Sequence, residues 1–350
     1  MKPFYRHLGT TLCVLMLSMP AQAQESSPDT AGLFATDEVL ELTLETDLET
    51  LLHDVGEERD EHPATLSYQA SDDTTITMPL KASTRGRYRR DPEHCDFPPL
   101  WLNFPKKRVE QTRFAGQDKI KLVTHCRSGE AVYEQYLLQE YLIYRIYNLL
   151  TEKSFRVRLL RITYVDTEGR RDPFTRYAFL IEDVDLMAAR NQAVEHDRQD
   201  VPPEELDYEQ MTLFYLFQYM IGNIDWDVAM LQNLKLIEPE QDGPLVAVPY
   251  DFDLVGLIKP SYADKAPPLG LSALRNQLFT DFCRSKKKLR PTLAHFNTHK
   301  ADIYELYTSF PLLQQAHARR VRQRLDKFYR TINEPRLAER EFLRPCRVAP

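Results

Sequence analysis

Carboxylate and amide side chains are concentrated in two segments of this sequence. Asp225 and Asn233 stand eight positions apart in the first segment, and Asp251 and Asp253 stand in the second. Phosphoryl transfer needs a carboxylate near the attacking group, together with oxygen ligands for a divalent metal that bridges the phosphates. We expect Asp225 to take the first role, and Asn233 with Asp251 or Asp253 to hold the metal.

A predicted hairpin over residues 234–254 brings these two segments together. In the alternative interpretation, the residues of the first segment cap helices and turns, and the two later aspartates are surface loop carboxylates. Aromatic residues flank the acids, which favours a pocket. They are Trp226, Tyr250 and Phe252.

Two residues of the first half of the chain fit the same chemistry. Strand alternation over residues 119–123 places Lys119 and Lys121 on one face. Residues 133–150 predict a helix that is apolar on more than one face, so its Glu140 is a partly buried acid that needs a partner. Kinases hold nucleotide phosphates with a strand lysine paired to a helix glutamate, and we expect Lys121 to pair with Glu140. Alternatively, Glu140 bonds a tyrosine or an arginine and the lysines are solvated.

Two further positions could contact a nucleotide. The basic turn that begins at Arg85 contains a glycine and could cover phosphates, although a solvated run of charge explains it equally well. The predicted strands at 159–165 and 177–181 lead to Glu182, which lies where the backbone of a kinase hinge would meet adenine.

Periodicity divides the chain into parts that would position these residues. Residues 24–35 are polar and predict a disordered leader. Residues 36–188 predict an antiparallel sheet with one buried helix, residues 189–203 a charged linker, and residues 204–350 a mainly helical lobe with one hairpin. The fold class is therefore α+β with two lobes.

The first residues have the layout of a secretory signal peptide. Lys2 and Arg6 precede an apolar run over residues 12–19, and the small-residue end at 21–23 predicts cleavage after Ala23. No later apolar run approaches the roughly 18 residues that a membrane span needs. We therefore expect a periplasmic or secreted protein without a membrane span.

Composition and missing motifs narrow the function further. A chain of 350 residues with 43% hydrophobic and 28% charged residues is typical of globular proteins, and a net charge of −7 does not predict a nucleic-acid partner. Glycine occurs only 11 times, and the sequence has neither glycine-rich nucleotide motif. The motifs of zinc peptidases, serine hydrolases and thioredoxin-like enzymes are also absent.

Four cysteines follow the predicted signal peptide, namely Cys95, Cys126, Cys283 and Cys346. In an oxidising compartment they predict two disulfides, and three pairings exist. We favour Cys95 with Cys126 and Cys283 with Cys346, because each bridge then stays inside one lobe. The alternative is four free, buried thiols.

In the order of these parts, the chain resembles the atypical protein kinases of the spore-coat CotH type. The resemblance runs from the Arg85 turn and the Lys121 strand, through the Glu140 helix and the strand ending at Glu182, to the acidic segments 223–233 and 250–253. It implies a two-lobed protein-kinase-like fold that uses ATP and Mg²⁺ or Mn²⁺ to phosphorylate Ser or Thr of secreted proteins. The basic turn departs from the glycine and serine that this family usually has there.

Carried over by position, the resemblance implies that Asp225 is the catalytic aspartate and that Asn233 and Asp251 are the metal ligands, with Asp253 as the rival of Asp251. The partner would be a protein substrate in the exported compartment. One alternative is a non-catalytic, pseudokinase-like binding protein. A weaker alternative is a hydrolase built from Asp225 and Asp253, in which Lys121 and Glu140 would have no role.

Overall fold

The computed structural model describes residues 32–70, 73–261 and 286–343, and its first part is a closed seven-stranded barrel. Three helices accompany the strands. In chain order the elements are β1 Leu40–Thr46, α1 Leu48–His53, β2 His62–Gln69, β3 Thr75–Thr84, β4 Leu100–Asn103, α2 Lys106–Val109, β5 Lys119–Val123, α3 Ala131–Leu150, β6 Val157–Asp166 and β7 Phe174–Ile181.

The barrel corrects the prediction of a simple antiparallel sheet. Its strand order is β1-β2-β3-β4-β5-β7-β6, and β6 closes the ring against β1 in a parallel register that pairs Leu40 with Leu160. The other neighbours are antiparallel. An odd number of alternating strands cannot close without one parallel pair, and an open sheet would have left β1 and β6 as edges. Alternation within each strand does not reveal this long-range pairing.

The strands β6 and β7 are covered on both faces. Leu160, Ile162 and Leu180 point into the barrel core, whereas Leu159 and Phe179 belong to the second core that contains α3. The helix α3 packs on these two strands from outside the barrel. The prediction of a buried helix at residues 133–150 is confirmed, with the observed start two residues earlier.

The second part of the chain combines a small sheet with helices. Its elements are α4 Val184–Arg190, β8 Ala193–His196, α5 Tyr208–Ile221, β9 Leu234–Pro239, β10 Val246–Pro249, α6 Lys286–Thr298, α7 Lys300–Thr308, α8 Gln315–Asn333 and α9 Pro335–Phe342. The strands form an antiparallel sheet in the order β10-β9-β8. The predicted linker at 189–203 therefore contains a strand of this sheet. Among the described helices, none has the length and apolar character needed to cross a membrane.

One hydrophobic core joins the two parts. It runs from α3 through the almost fully buried α5 to the last helices, and Phe217, Phe252 and Phe328 all belong to it. The helix α5 starts at its cap Asp207, whose carboxylate accepts a hydrogen bond from the Gln210 backbone. The site residues described below lie where α5 and β10 end.

The disulfide predicted between Cys95 and Cys126 is present. The predicted bridge between Cys283 and Cys346 lies outside the described residues, as does the predicted signal peptide. Only the end of the predicted leader is described, and there Leu33 is buried in the barrel core.

Candidate functional site

The end of helix α5 determines where Asp225 lies. The helix α5 ends at Gly222, whose φ of 69° is left-handed, and a Cβ there would lie 2.5 Å from Arg324 Nη2. The chain then turns, and the backbone N–H of Asp225 donates to Asn223 Oδ1 at 2.9 Å. Glycine is favoured here because of the left-handed backbone conformation, and the end of the Arg324 side chain would have to shift to admit a Cβ.

The carboxylate of Asp225 is held by two amides of the next turn. Asn233 Nδ2 donates to Asp225 Oδ2 at 3.0 Å and to the Asp225 carbonyl at 2.7 Å, and Gln232 Nε2 donates to Oδ1. Burial raises the pKa of Asp225, and the negative charge of Asp251 raises it further. The structure thus brings together the two residues that the sequence separates by eight positions.

The segment after β10 is fixed from two sides. The Tyr250 N–H donates to the Asn233 carbonyl at 3.1 Å, and the Asp251 N–H donates to Tyr144 Oη at 2.8 Å. Tyr144 is buried in α3, and its ring meets Phe252 edge-on at 4.7 Å. Asp251 has a φ of 63°, a strained conformation for this residue type that the surrounding contacts hold in place.

Arg89 lies among three carboxylates. Its Nη1 is 3.4 Å from Glu140 Oε2, its Nη2 is 3.3 Å from Asp251 Oδ1, and its Nε is 3.1 Å from Asp253 Oδ2. We call these four residues the Arg89 cluster. The predicted pairing of Lys121 with Glu140 is wrong, because the Glu140 carboxylate forms an ion pair with the guanidinium of Arg89.

The Arg89 cluster is strongly desolvated. Glu140 is 3% exposed, Arg89 11% and Asp253 14%, whereas Asp251 is 36% exposed. Burial raises the pKa of Glu140 and of Asp253, and the charge of Arg89 opposes both shifts. Glu140 Oε1 is buried without a hydrogen-bond partner in the part of the chain that the structure describes. One guanidinium therefore leaves the acids of this cluster incompletely compensated.

Two other cations lie on the barrel side of the site. Lys121 Nζ is 4.6 Å from the ring centroid of Tyr250 and 5.7 Å from that of Trp101, and Arg85 Cζ is 5.4 Å from the Trp101 ring. Within the described residues, no carboxylate lies at ion-pair distance from Lys121 or Arg85. Burial, together with the charges of Arg85 and Lys235, lowers the pKa of Lys121 to about 8.

The side chain of Glu182 has a structural role instead. Its carboxylate lies 2.9 Å from Arg190 Nη2 and accepts the Arg156 N–H at 2.9 Å. Its own N–H donates to the Arg156 carbonyl. The interaction with adenine that the sequence suggested for this position would have to use the remaining backbone of the segment.

The sequence interpretation missed two contributors. Arg89 belongs to the basic turn, and the need of the buried Glu140 for a cation was the signal that could have identified it. Lys235 in β9 pairs with Glu195 at 2.6 Å, and its charge reaches Lys121 and Tyr250. No local pattern marks Lys235, because only the pairing of β9 with β8 gives it its neighbour.

The oxygen atoms of this site fit a divalent cation that also binds a ligand better than a cation that is enclosed by protein ligands alone. Among the described residues, no group of three or more His, Cys, Asp or Glu could hold a metal ion. Mg²⁺ usually takes one or two carboxylates and completes its shell with water and phosphate oxygens. Asp251, with Asn233 or Asp253 beside it, and the unsatisfied Glu140 Oε1 fit that second kind of site.

Comparisons with known proteins gave matches to solved structures alone. A scan against protein-family models found no match, and a search of the curated proteins found none. The Helicobacter pylori proinflammatory kinase CtkA matches at 10% identity and a TM-score of 0.39, over 67% of this chain and 88% of that one. The Golgi casein kinase matches at 10% identity and a TM-score of 0.35, over 85% of this chain and 79% of that one.

Proposed function

We propose that this protein is an exported, metal-dependent phosphotransferase that uses ATP to phosphorylate Ser or Thr of a secreted protein, as its resemblance to CotH-type kinases implies. One observation carries the proposal. Lys121 and Arg85, which have no carboxylate at ion-pair distance among the residues that the structure describes, share a site with Asp251, whose charge also reaches the Asp225 carboxylate held by Asn233. A nucleoside triphosphate would supply an anion for Lys121 and Arg85, and a divalent metal would supply a cation for Asp251.

Each residue has a defined role in this proposal. Lys121 and Arg85 bind phosphate oxygens, because a buried cation gains most from an anion that replaces its lost hydration. Asp251 and Asn233 hold the metal, with Asp253 as the alternative to Asp251. The metal neutralises charge on the phosphates when it is bound.

Asp225 is the base of the proposed reaction. It accepts the proton of the acceptor hydroxyl while the hydroxyl oxygen forms a bond to the γ-phosphorus, and the bond from that phosphorus to the bridging oxygen breaks to release ADP. The amides of Gln232 and Asn233 hold the carboxylate in one orientation. Its raised pKa makes it a better proton acceptor than an exposed aspartate.

The decisive experiment measures nucleotide binding and phosphate transfer on one set of purified proteins. We expect metal-dependent thermal stabilisation by ATP or GTP in the wild type, and label transfer to the protein itself or to a generic acceptor. Asp225→Asn should keep the stabilisation and lower transfer by about 10² to 10⁴-fold, the usual contribution of a general base. Asp251→Ala should lose metal-dependent nucleotide binding as well.

Matched controls lie next to the tested residues. Asp227→Asn changes a carboxylate of the same turn that accepts the Met230 N–H, and Lys119→Met changes a lysine of β5 that pairs with the partly exposed Glu61. Both should transfer phosphate as the wild type does. If the wild type shows neither stabilisation nor transfer with either nucleotide and with Mg²⁺ or Mn²⁺, the catalytic proposal fails in favour of the non-catalytic binding protein.

A further inference from the structure

We infer that Arg89 is an internal competitor for the metal, and that a divalent cation binds its carboxylate ligand, Asp251 or Asp253, only when the Arg89 guanidinium leaves that carboxylate. The inference rests on the proposed function for the identity of the metal ligands. It goes beyond that function because it names the group that decides whether the ligands are available.

The Arg89 guanidinium occupies the carboxylate oxygens that a metal would need. Three different nitrogens of one guanidinium approach carboxylates from two elements, Glu140 on α3 and the pair Asp251 and Asp253 after β10. A hard cation needs the same oxygen lone pairs at about 2.0 to 2.6 Å. A metal and a guanidinium that share these oxygens would also bring like charges close together in a desolvated place.

The cavity at the Arg89 cluster is too small for the guanidinium and a metal together. The cavity at the Arg89 cluster measures about 10 Å³ and is lined by Arg89, Glu140 and Asp253, with Cys126 at its wall. One water molecule needs about 10 to 15 Å³ of such volume. A divalent ion that keeps part of its water shell therefore does not fit beside Glu140 and Asp253 until the guanidinium has moved.

The position of Arg89 in the chain gives the third argument. Arg89 follows β3 in a segment that the disulfide between Cys95 and Cys126 ties to the region after β5. Arg90, the next residue, pairs with the exposed Glu57 at 3.2 Å. The inference therefore requires only that the Arg89 side chain move, because the disulfide keeps its segment attached to the barrel.

The test measures binding of the metal alone. Mn²⁺ is titrated calorimetrically into the full-length wild type, Arg89→Met and the matched control Arg90→Met, without nucleotide. We expect Arg89→Met to bind Mn²⁺ at least about tenfold more tightly than the wild type, the equivalent of freeing one charge-assisted hydrogen bond, and Arg90→Met to bind as the wild type. Mn²⁺ should also restore the melting temperature that Arg89→Met loses.

Arg89→Lys provides a second variant in case Arg89→Met folds poorly. Its ammonium is a point charge that cannot bridge three carboxylates, so its Mn²⁺ affinity should lie between those of the wild type and Arg89→Met. Equal or weaker Mn²⁺ binding by these variants overturns the inference, as does the absence of Mn²⁺ binding in all proteins. Loss of ATP binding without a gain in Mn²⁺ affinity also overturns it and makes Arg89 a phosphate ligand.

The proposed function and this inference fail in different measurements. Tighter Mn²⁺ binding by Arg89→Met supports the competitor role even if the wild type transfers no phosphate. Phosphate transfer by the wild type, combined with unchanged Mn²⁺ affinity of Arg89→Met, supports the proposed function and rejects the competitor role.

Discussion

Two basic residues of the same cleft have opposite surroundings. Arg89 lies among three carboxylates, whereas Lys121 lies over the rings of Tyr250 and Trp101, with no carboxylate at ion-pair distance in the described part of the chain. Both side chains come from the barrel part, and both are largely removed from water. What differs is how their charges are compensated.

The charge of Arg89 stabilises the fold, whereas the charge of Lys121 is one that an anionic ligand could compensate. A buried ion pair is costly to break, because removing one partner leaves the other uncompensated. Burial of a cation costs free energy that aromatic rings offset only in part, and the lowered pKa of Lys121 expresses that cost. We therefore expect replacement of Arg89 to destabilise the protein and replacement of Lys121 to stabilise it.

The largest effect is expected for Arg89. Arg89→Met leaves Glu140, Asp251 and Asp253 without their shared cation, and the free energy of unfolding without metal should fall by about 3 to 5 kcal/mol. Urea unfolding of the metal-free protein measures it. Arg90→Met, whose partner Glu57 is 97% exposed, should change stability by less than about 1 kcal/mol and serves as the control.

The disulfide should have an effect of similar size. Replacing both Cys95 and Cys126 by alanine opens a loop with a sequence separation of 31, and chain entropy predicts a loss of about 3 to 4 kcal/mol. Urea unfolding under non-reducing conditions measures this loss. A variant that loses less than about 1 kcal/mol would contradict the chain-entropy estimate for this loop.

Local patterns in the sequence predicted the parts of the site that are formed by neighbours in the chain. The buried helix α3 was predicted in this way, because its pattern lies within twenty consecutive residues. Tyr250 and Phe252, which flank the acids, both pack in or against the second core.

Long-range pairing explains what the sequence did not predict. The barrel closes because β1 meets β6, about 120 positions later. Arg89 contacts Glu140 across 51 residues of the chain and Asp251 across 162. Strand alternation identified Lys121 as a lysine on one face, but it contains no information about which acid lies opposite that face.

A smaller effect of opposite sign is expected for Lys121. Lys121→Met keeps most of the side-chain volume over Tyr250 and removes an uncompensated charge, so the free energy of unfolding at neutral pH should rise by about 1 to 3 kcal/mol. Nucleotide binding should be lost in the same variant. The control Lys119→Met should change neither quantity noticeably, and a destabilised Lys121→Met would contradict the distinction between the two cations.

The smallest effect is the pH dependence of that gain, and its sign follows from the pKa of Lys121. The pKa is about 8 in the folded protein and 10.5 in its ordinary environment, so between these values the unfolded chain binds more protons than the folded one. The stability of the wild type relative to Lys121→Met must then rise with pH, and the advantage of the variant should shrink by about 2 kcal/mol between pH 7 and pH 9.5. Comparing the two proteins at each pH cancels the titration of the tyrosines and of the Arg89 cluster, which both contain. Nucleotide affinity of the wild type should change in the opposite direction, falling as pH rises above about 8, because the phosphates need the protonated ammonium. A constant difference in stability between the two proteins across this range would show that Lys121 keeps its proton in the folded state, and the aromatic rings would then compensate its charge as effectively as carboxylates compensate Arg89.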